Sequence, residues 1–168
     1  MNYEWEQDTM TKKTFRHHAG FGKRIEYYVI SLMLKQGLDV FIPMIDDDAI
    51  DCVVKRPDGK YVEIQIKARS KDVSFGDAAL FAAIKHEHRD NYWFVFYSER
   101  INDCILIMSS KEFLKEASTN KSGKNVGLRS IWFNGKNTKN NTEHIKPQFS
   151  KYIATDFNRI LYEEPDNT

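Results

Sequence analysis

The sequence predicts one α/β domain in which a mixed β-sheet carries helices on its faces. Runs of β-branched and aromatic residues occur between segments of helical periodicity. A turn at Pro57–Gly59 joins two of these runs into a hairpin. With 168 residues, of which 41% are hydrophobic, the chain can bury one substantial core but not two. We therefore expect a single domain over 1–168, with flexible ends at 1–13 and 163–168.

The first predicted element is a helix over Gly22–Gln36 that ends at Gly37. Its central residues are almost all apolar, so we expect a nearly buried helix. Glu26 heads a row at helical spacing with Ile30 and Met33, which places a carboxylate at the start of an apolar stripe. The alternative is a first-turn Glu that stays in solvent and favours the positive end of the helix dipole.

The remaining elements follow from strand and helix signals along the chain. Ser109 and Ser110 are the predicted N-cap residues of the helix at 111–117. The Gly- and Asn-rich segment 121–147 predicts a long mobile loop around one short strand. Strands are predicted at 38–42, 53–54, 62–66, 91–97, 103–108 and 131–133, and helices at 78–88, 111–117 and 155–162.

The hairpin turn determines which side chains share a face. Pro57 and Asp58 suit the corners of a type I turn, and Gly59 suits the left-handed position of a G1 bulge. This three-residue loop puts Val53 opposite Glu63, Asp51 opposite Gln65, and Ala49 opposite Lys67. A two-residue loop would instead place Asp51 opposite Ile66 and split the set. One face then holds Asp51, Glu63, Gln65 and Lys67, and the other Cys52, Val54, Val62, Ile64 and Ile66.

The polar face has an ordinary and a chemical interpretation. Glu63, Gln65 and Lys67 alone are typical of any half-exposed antiparallel sheet. Asp51 is different, because Asp is a poor strand former and this one ends the carboxylate-rich run 46–51. Crowded carboxylates repel one another unless a cation joins them. Asp51, Gln65 and Lys67 lie close enough in the predicted register to reach one metal ion and its bound phosphate.

Basic residues cluster on both sides of this acidic centre, although the net charge is only +1. Arg16, Lys23 and Arg24 belong to the first basic stretch, and 121–151 is the second. If both converge on the Asp51 face they can track a phosphate backbone. The alternative is ordinary solvated surface.

Several protein classes are not favoured by the composition. No segment approaches the roughly 20 apolar residues of a membrane span, and the start of the chain has no apolar signal region, so we expect a cytoplasmic protein without a membrane partner. Cys52 and Cys104 are predicted to be small buried hydrophobes in strands, without a disulfide framework. The segment His86–His88 lacks the spacing of a helical zinc site and is predicted to cap a solvated helix end.

The order of a helical Glu, a strand Asp and a QxK strand resembles the PD-(D/E)XK nuclease superfamily. The resemblance covers about 20–69 and implies a restriction-endonuclease-like core. It assigns Glu26 as the helical acid, Asp51 as the PD aspartate, and Gln65 with Lys67 as the last motif. Ile50 stands where the family often has Pro, and Gln65 where it usually has an acid, so the site would hold its cation with one acid fewer. Glu63 is a second-choice ligand.

The resemblance implies a metal-dependent endonuclease that hydrolyses phosphodiester bonds of DNA. Glu26, Asp51 and Gln65 would hold Mg²⁺ or Mn²⁺, and Lys67 would stabilise the developing charge. A homodimer is expected by analogy, because cutting both strands calls for two sites across a two-fold axis. Two alternatives stay open. One is a catalytically inactive nuclease-fold module that binds nucleic acid or a protein partner, and the other is an unrelated α/β interaction domain in which Glu26 and Asp51 lie far apart.

Overall fold

A six-stranded mixed sheet with the strand order β1-β2-β3-β5-β6-β11 forms the centre of the protein. The computed structural model describes residues 18–45 and 48–163. The strands of this sheet are β1 (Asp39–Phe41), β2 (Cys52–Lys55), β3 (Tyr61–Arg69), β5 (Tyr92–Ser98), β6 (Cys104–Ser109) and β11 (Ile153–Ala154). The helices are α1 (His18–Lys35), α2 (Ser110–Glu116) and α3 (Asn158–Tyr162), with a 3-10 helix at Pro147–Tyr152.

Two smaller sheets are built from the remaining strands. The first has the order β4-β8-β7, and the second is the pair β10-β9. Their strands are β4 (Leu80–Ile84), β7 (Ser118–Thr119), β8 (Arg129–Trp132), β9 (Asn134–Asn137) and β10 (Thr142–Ile145).

The central sheet is mixed because β3 and β5 run parallel whereas its other neighbouring strands are antiparallel. Parallel neighbours need a crossover that passes over one face of the sheet. Residues 70–91 make this crossover and contain β4, which pairs with β8. The crossover therefore adds a second sheet layer over the central one.

Each face of the central sheet buries its own hydrophobic cluster. On one face α1 and α3 pack over side chains such as Ile64, Ile66 and Val95. On the other face the aromatic side chains of Tyr92 and Phe94 meet those of β4, β8, α2 and the 3-10 helix. Because successive side chains of a strand point to opposite faces, β5 and β6 contribute alternately to both clusters.

Several sequence predictions are confirmed in detail. Helix α1 ends where predicted, with Gly37 at φ +83° and the Leu38 N–H donating to the Met33 carbonyl over 3.1 Å. Helix α2 begins with Ser109 as its N-cap, in a capping box with Glu112. Cys52 is fully buried in β2, and Cys104 is partly buried in β6.

Helix α1 differs from its prediction in two respects. It begins at His18, four residues before the predicted start, so Glu26 lies beyond the first turn. It is also less buried than expected, because Tyr27 is 53% and Leu34 54% exposed. One face of α1 contacts the sheet, and the apolar residues on the opposite face remain at the surface.

The predicted helix at 78–88 is wrong. Its Ala-rich sequence has helical propensity, but β4 forms there and pairs with β8, since pairing and burial override propensity. Phe81 and Ile84 are buried, and Ala83 adopts φ +58° at an irregularity in the pairing. The short strand predicted at 131–133 overlaps β8, but the long loop predicted around it over 121–147 is wrong for the most part, because β9 and β10 also form there.

The predicted fold class is confirmed: the chain forms a single α/β domain whose mixed sheet is flanked by helices. None of the helices that the structure describes has the length and apolar character to cross a membrane. The flexible ends predicted at 1–13 and 164–168 lie outside the described residues. Glu163, the first residue of the predicted C-terminal end, caps α3.

Candidate active site

The β2–β3 hairpin has the predicted turn and register. Arg56 N–H donates to the Lys60 carbonyl over 2.8 Å, and Gly59 has φ +84°. Val53 pairs with Glu63, as the three-residue loop requires. The predicted division of faces follows, because Val62, Ile64 and their partners in β2 all lie in the cluster beneath α1.

The ladder does not extend to the predicted Asp51–Gln65 and Ala49–Lys67 pairs. Regular pairing ends at Cys52 and Ile64, and Asp51 N–H also donates to the Ile64 carbonyl over 2.8 Å. Ala49 adopts φ +57°, so the chain has already left the extended conformation. The predicted register is therefore correct only from Cys52 to the turn.

Asp51 is nevertheless held firmly against β3. Its Oδ2 accepts a hydrogen bond of 2.6 Å from the backbone N–H of Ile66, and the residue is 8% exposed. Ile66 lies between Gln65 and Lys67, so this bond fixes the Asp51 carboxylate beside both residues of the QxK motif. A buried carboxylate that accepts a backbone N–H is well ordered for binding a cation.

Glu26 projects from α1 and is largely buried, with 19% of its side chain exposed. Its position excludes the alternative of a solvated first-turn Glu. Its Oε2 lies 2.5 Å from the Lys23 ammonium in an ion pair. Among the described residues no other donor reaches this buried oxygen.

The two carboxylates act on the same neighbouring groups. Contact with Glu26, together with attraction from Asp51, raises the pKa of Lys23. Burial raises the pKa of the Cys52 thiol to about 12, and the charges of Asp51 and Glu26 add to this effect. Glu26 and Asp51 are therefore electrostatic neighbours, and the reading of an unrelated domain with two distant acids is not favoured.

Gln65 and Lys67 line a groove of about 390 Å³ between β3 and β4. Gln65 is only 6% exposed, whereas Lys67 is partly open. Ala49, two residues before Asp51, lines the same groove. The groove thus reaches the end of the hairpin where Asp51 is anchored.

Two basic residues of the groove, Arg69 and Lys85, were not singled out from the sequence. Arg69 shares the strand face of Lys67 by the period of two, so that pattern could have found it. Lys85 follows β4, in the segment where a helix was predicted, and no sequence signal placed it near β3. With Lys67 they give the groove three cationic side chains, which suits a phosphodiester.

Glu63 is engaged by Arg89 in an ion pair. Arg89 also donates to the Asp48 carbonyl over 2.9 Å, and Tyr92 donates through its hydroxyl to the Ala49 carbonyl over 2.6 Å. The guanidinium lies 4.4 Å from the centre of the Tyr92 ring. These contacts hold the segment that leads into Asp51, so Glu63 has a structural partner.

Of the three residues predicted to bind nucleic acid, the structure describes Lys23 and Arg24, both on α1. Lys23 pairs with Glu26, and Arg24 follows it on α1. Arg16 lies outside the described residues. The structure therefore brings Lys23 to the acidic centre, where it compensates the carboxylates.

The predicted helix cap at His86–His88 is wrong because the segment follows a strand. The His86 ring packs against Tyr92 and Phe94, and its Nε2 lies 2.8 Å from the Ser110 hydroxyl. Burial, with repulsion from Arg89, lowers the pKa of His86 to about 4. Across 18–45 and 48–163, His, Cys, Asp and Glu form no cluster of three suited to a metal ion.

The donor types nevertheless suit a hard divalent cation, because Glu26 and Asp51 have carboxylate oxygens and Gln65 has an amide oxygen. Glu26 and Asp51 supply two carboxylates that both act on Lys23 and Cys52, and among the described residues the Lys23 ammonium is the donor that lies against the buried Glu26 Oε2. Mg²⁺ is commonly held by one or two carboxylates, with water and substrate phosphate completing its shell.

Comparison with known proteins supports the fold but gives no family. No protein-family model matches this sequence, and no curated protein matches it either. The fold is similar to that of a bacterial homing endonuclease, I-Ssp6803I, with a TM-score of 0.57 and 17% identity. The similarity covers 82% of this chain and 88% of that one. The protein therefore shares the fold of a nuclease.

Proposed function

We propose that this protein is a metal-dependent endonuclease that hydrolyses phosphodiester bonds of DNA, with a PD-(D/E)XK site in its QxK form. The observation that carries the proposal is the anchored carboxylate of Asp51. Its bond to the Ile66 N–H places it beside Gln65 and Lys67, where a groove with cationic walls begins. The shared fold with a homing endonuclease supports the same class of reaction.

Glu26, Asp51 and Gln65 would hold Mg²⁺ or Mn²⁺. The bound ion would supply Lewis-acid stabilisation of the phosphate and a lower pKa for the attacking water. Lys67, in the groove wall, stabilises the charge that develops as water attacks phosphorus and one ester P–O bond breaks. The departing sugar oxygen takes up a proton, and Lys67 acts electrostatically without becoming a nucleophile.

Arg69 and Lys85 bind the phosphates that flank the scissile bond in this proposal. Each carries a fixed positive charge along the groove, so each contact adds affinity that does not depend on base sequence. Cutting both strands of a duplex calls for two sites, so we also propose that the enzyme acts as a homodimer.

One observation favours a second candidate, an inactive nuclease-fold module that binds nucleic acid or a protein. The Lys23 ammonium lies against Glu26, and Gln65 carries no charge, so an internal cation already offsets part of the acidic centre. In that case Lys23 substitutes for the metal, and the groove serves for binding alone.

The decisive experiment is cleavage of plasmid, single-stranded and branched DNA with Mg²⁺, Mn²⁺ or EDTA, comparing wild type with Asp51→Asn. Asp58→Asn is the matched control, since it makes the same chemical change at the exposed turn of the same hairpin. Metal-dependent cutting that only Asp51→Asn abolishes supports the nuclease. Binding without cutting of any substrate supports the inactive module.

A further inference from the structure

Strands β9 and β10 form a two-stranded antiparallel ribbon, residues 134–145, that joins neither of the other two sheets. All four residues of its turn, 138–141, are exposed. No part of the proposed chemistry uses this ribbon. Specific side-chain contacts nonetheless hold its base and its tip.

The base of the ribbon is locked to the segment before β4. Glu143, with only 5% of its side chain exposed, accepts a 2.6 Å hydrogen bond from the Gly76 N–H and forms an ion pair with Arg100 at 2.5 Å. Asn134 accepts from the Ala79 N–H over 2.8 Å and donates to the Gly76 carbonyl over 3.0 Å. Since these residues lead directly into β4, the ribbon has a fixed position relative to the groove wall.

The outer face of the ribbon carries hydrogen-bonding groups. Asn137, Thr142 and His144 are exposed there, whereas Glu143 points toward the anchor. His144 lies across Gly135, where an added Cβ would come within 3.0 Å of the imidazole Nε2. Glycine at this position therefore lets the His144 ring pack close to the backbone of β9.

The tip is ordered by its own side chains. Asn137 Oδ1 accepts from the Lys139 N–H over 3.0 Å, and the Thr142 hydroxyl donates to Asn140 Oδ1 over 2.8 Å. These turn contacts hold Lys139 at the end of the ribbon. A preformed tip loses little conformational entropy on binding.

The charge around the ribbon is strongly positive. Residues 121–151 contain seven Lys and Arg but only one acid, Glu143, which Arg100 already neutralises. Trp132 pairs with Leu80, a residue of the groove wall, and the Lys146 ammonium lies 5.2 Å from the centre of its ring. The basic surface therefore runs from the groove to the ribbon.

We infer that the ribbon is the arm with which this protein reads duplex DNA, inserted into the major groove beside the cleavage site. The inference rests on the proposed function for the nature of the substrate. A major groove about 12 Å wide admits a two-stranded β-ribbon, and Asn, Thr and His side chains can hydrogen-bond base edges there. Lys139 at the tip meets a phosphate. Duplex RNA does not fit, because its major groove is deep and narrow.

The test is selection from a randomised duplex DNA library in EDTA, followed by affinity measurements over a range of salt concentrations. Wild type is compared with Asn137→Ser, His144→Ala and Lys139→Ala, all as the full chain. Ser keeps a turn-forming hydroxyl at position 137, so the tip is retained while the reading side chain is shortened. Lys35→Ala, at the exposed end of α1, is the control for loss of one positive charge. Circular dichroism verifies that each variant folds.

Wild type should select a preferred sequence, and Asn137→Ser and His144→Ala should each relax it at adjacent base pairs. Lys139→Ala should weaken binding to all duplexes by about fivefold to tenfold near 0.1 M salt, and reduce the salt slope by about 0.9. Lys35→Ala should change neither property. Equal effects of Lys35→Ala and Lys139→Ala, unchanged preference in the ribbon variants, or equally tight binding of duplex RNA would each overturn the inference.

Because no cutting occurs in EDTA, this experiment separates the ribbon from the chemistry. A wild type that reads DNA through the ribbon but never cuts it retains the inference and refutes the nuclease. A wild type that cuts DNA while ignoring ribbon substitutions retains the nuclease and refutes the inference.

Discussion

The candidate active site and the ribbon are assembled from the chain in opposite ways. The site residues lie within one contiguous stretch, 26–67, on a helix and the hairpin that follows it. The ribbon is anchored by contacts between residues far apart in sequence: Gly76 with Glu143, Ala79 with Asn134, and Arg100 with Glu143, separated by 67, 55 and 43 positions.

This difference indicates how chemistry and recognition are divided in the molecule. The site is embedded in the central sheet, where Asp51 and Gln65 are both nearly buried. The ribbon projects from the periphery and exposes most of its side chains. A recognition surface built on a separate arm can vary without disturbing the groups that carry the reaction.

The largest expected effect is the loss of catalysis in Lys67→Ala. Removing one group that stabilises the transition state costs about 10²–10³-fold in rate. Single-turnover cleavage of DNA measures it, and binding in EDTA should change far less. Lys55→Ala, which removes an exposed Lys from β2, is the control. If both variants cut at the wild-type rate, Lys67 has no role in the reaction.

Glu143→Gln should lower the stability of the ribbon and leave the rate of DNA cleavage unchanged. Loss of hydrogen bonds to a charged group costs about 1.5–3 kcal/mol, because Arg100 is left without its carboxylate. Hydrogen exchange should rise at 134–145 while the hairpin at 52–69 keeps its protection. The half-exposed Glu163, which pairs with Arg159 one helical turn away, is the comparison, and Glu163→Gln should cost about 0–1 kcal/mol because Arg159 keeps its ion pair with Glu112. Equal loss of protection at 134–145 and at 52–69 would contradict a ribbon that is anchored independently of the active-site hairpin.

Gln65→Glu should sharpen the assignment of the metal site. A third carboxylate beside Glu26 and Asp51 increases repulsion without metal and attraction with it. We expect Mn²⁺ affinity to rise about tenfold, with a lower melting temperature in EDTA that Mn²⁺ restores. Gln148→Glu makes the same change at an exposed position of the 3-10 helix. An equal response of the two variants would remove Gln65 from the site.

The smallest expected effect is on the pH dependence of stability, through His86, which packs where β5 meets α2. The unfolded chain takes up a proton at this residue near pH 6.5, whereas burial delays uptake in the folded state to about pH 4. Within this window the unfolded state binds more protons, so stability falls as pH falls. Urea unfolding at a series of pH values should show a shallower decline for His86→Gln than for wild type. The exposed His144→Gln is the control, and an equal decline in all three proteins would refute the assignment.

Local signals explain which predictions succeeded. The turn at Pro57–Gly59 determines the register of Val53 and Glu63, and Gly37 ends α1, because both depend on neighbouring backbone geometry. The capping box of α2 is likewise contained within four residues. Predictions of this kind need no knowledge of distant parts of the chain.

The predictions that failed depended on distant partners. The segment 78–88 has helical propensity, but it forms a strand because Phe81 pairs with Ile131, which lies far along the chain. The ladder was expected to reach Asp51 and Gln65, yet regular pairing ends at Cys52 and Ile64, and Ala49 adopts φ +57°. Lys85 then joins Lys67 and Arg69 in the groove only because β4 crosses over β3.

The sequence by itself determined the fold class, the hairpin and the set of residues proposed for the chemistry, because order, turn type and periodicity are local properties. Tertiary structure alone decided that Glu26 and Asp51 are electrostatic neighbours, that Lys23 lies against Glu26, and that a cationic groove opens beside Lys67. The physical reason is that these features arise from packing between elements, which depends on the burial of the whole chain and not on any one segment.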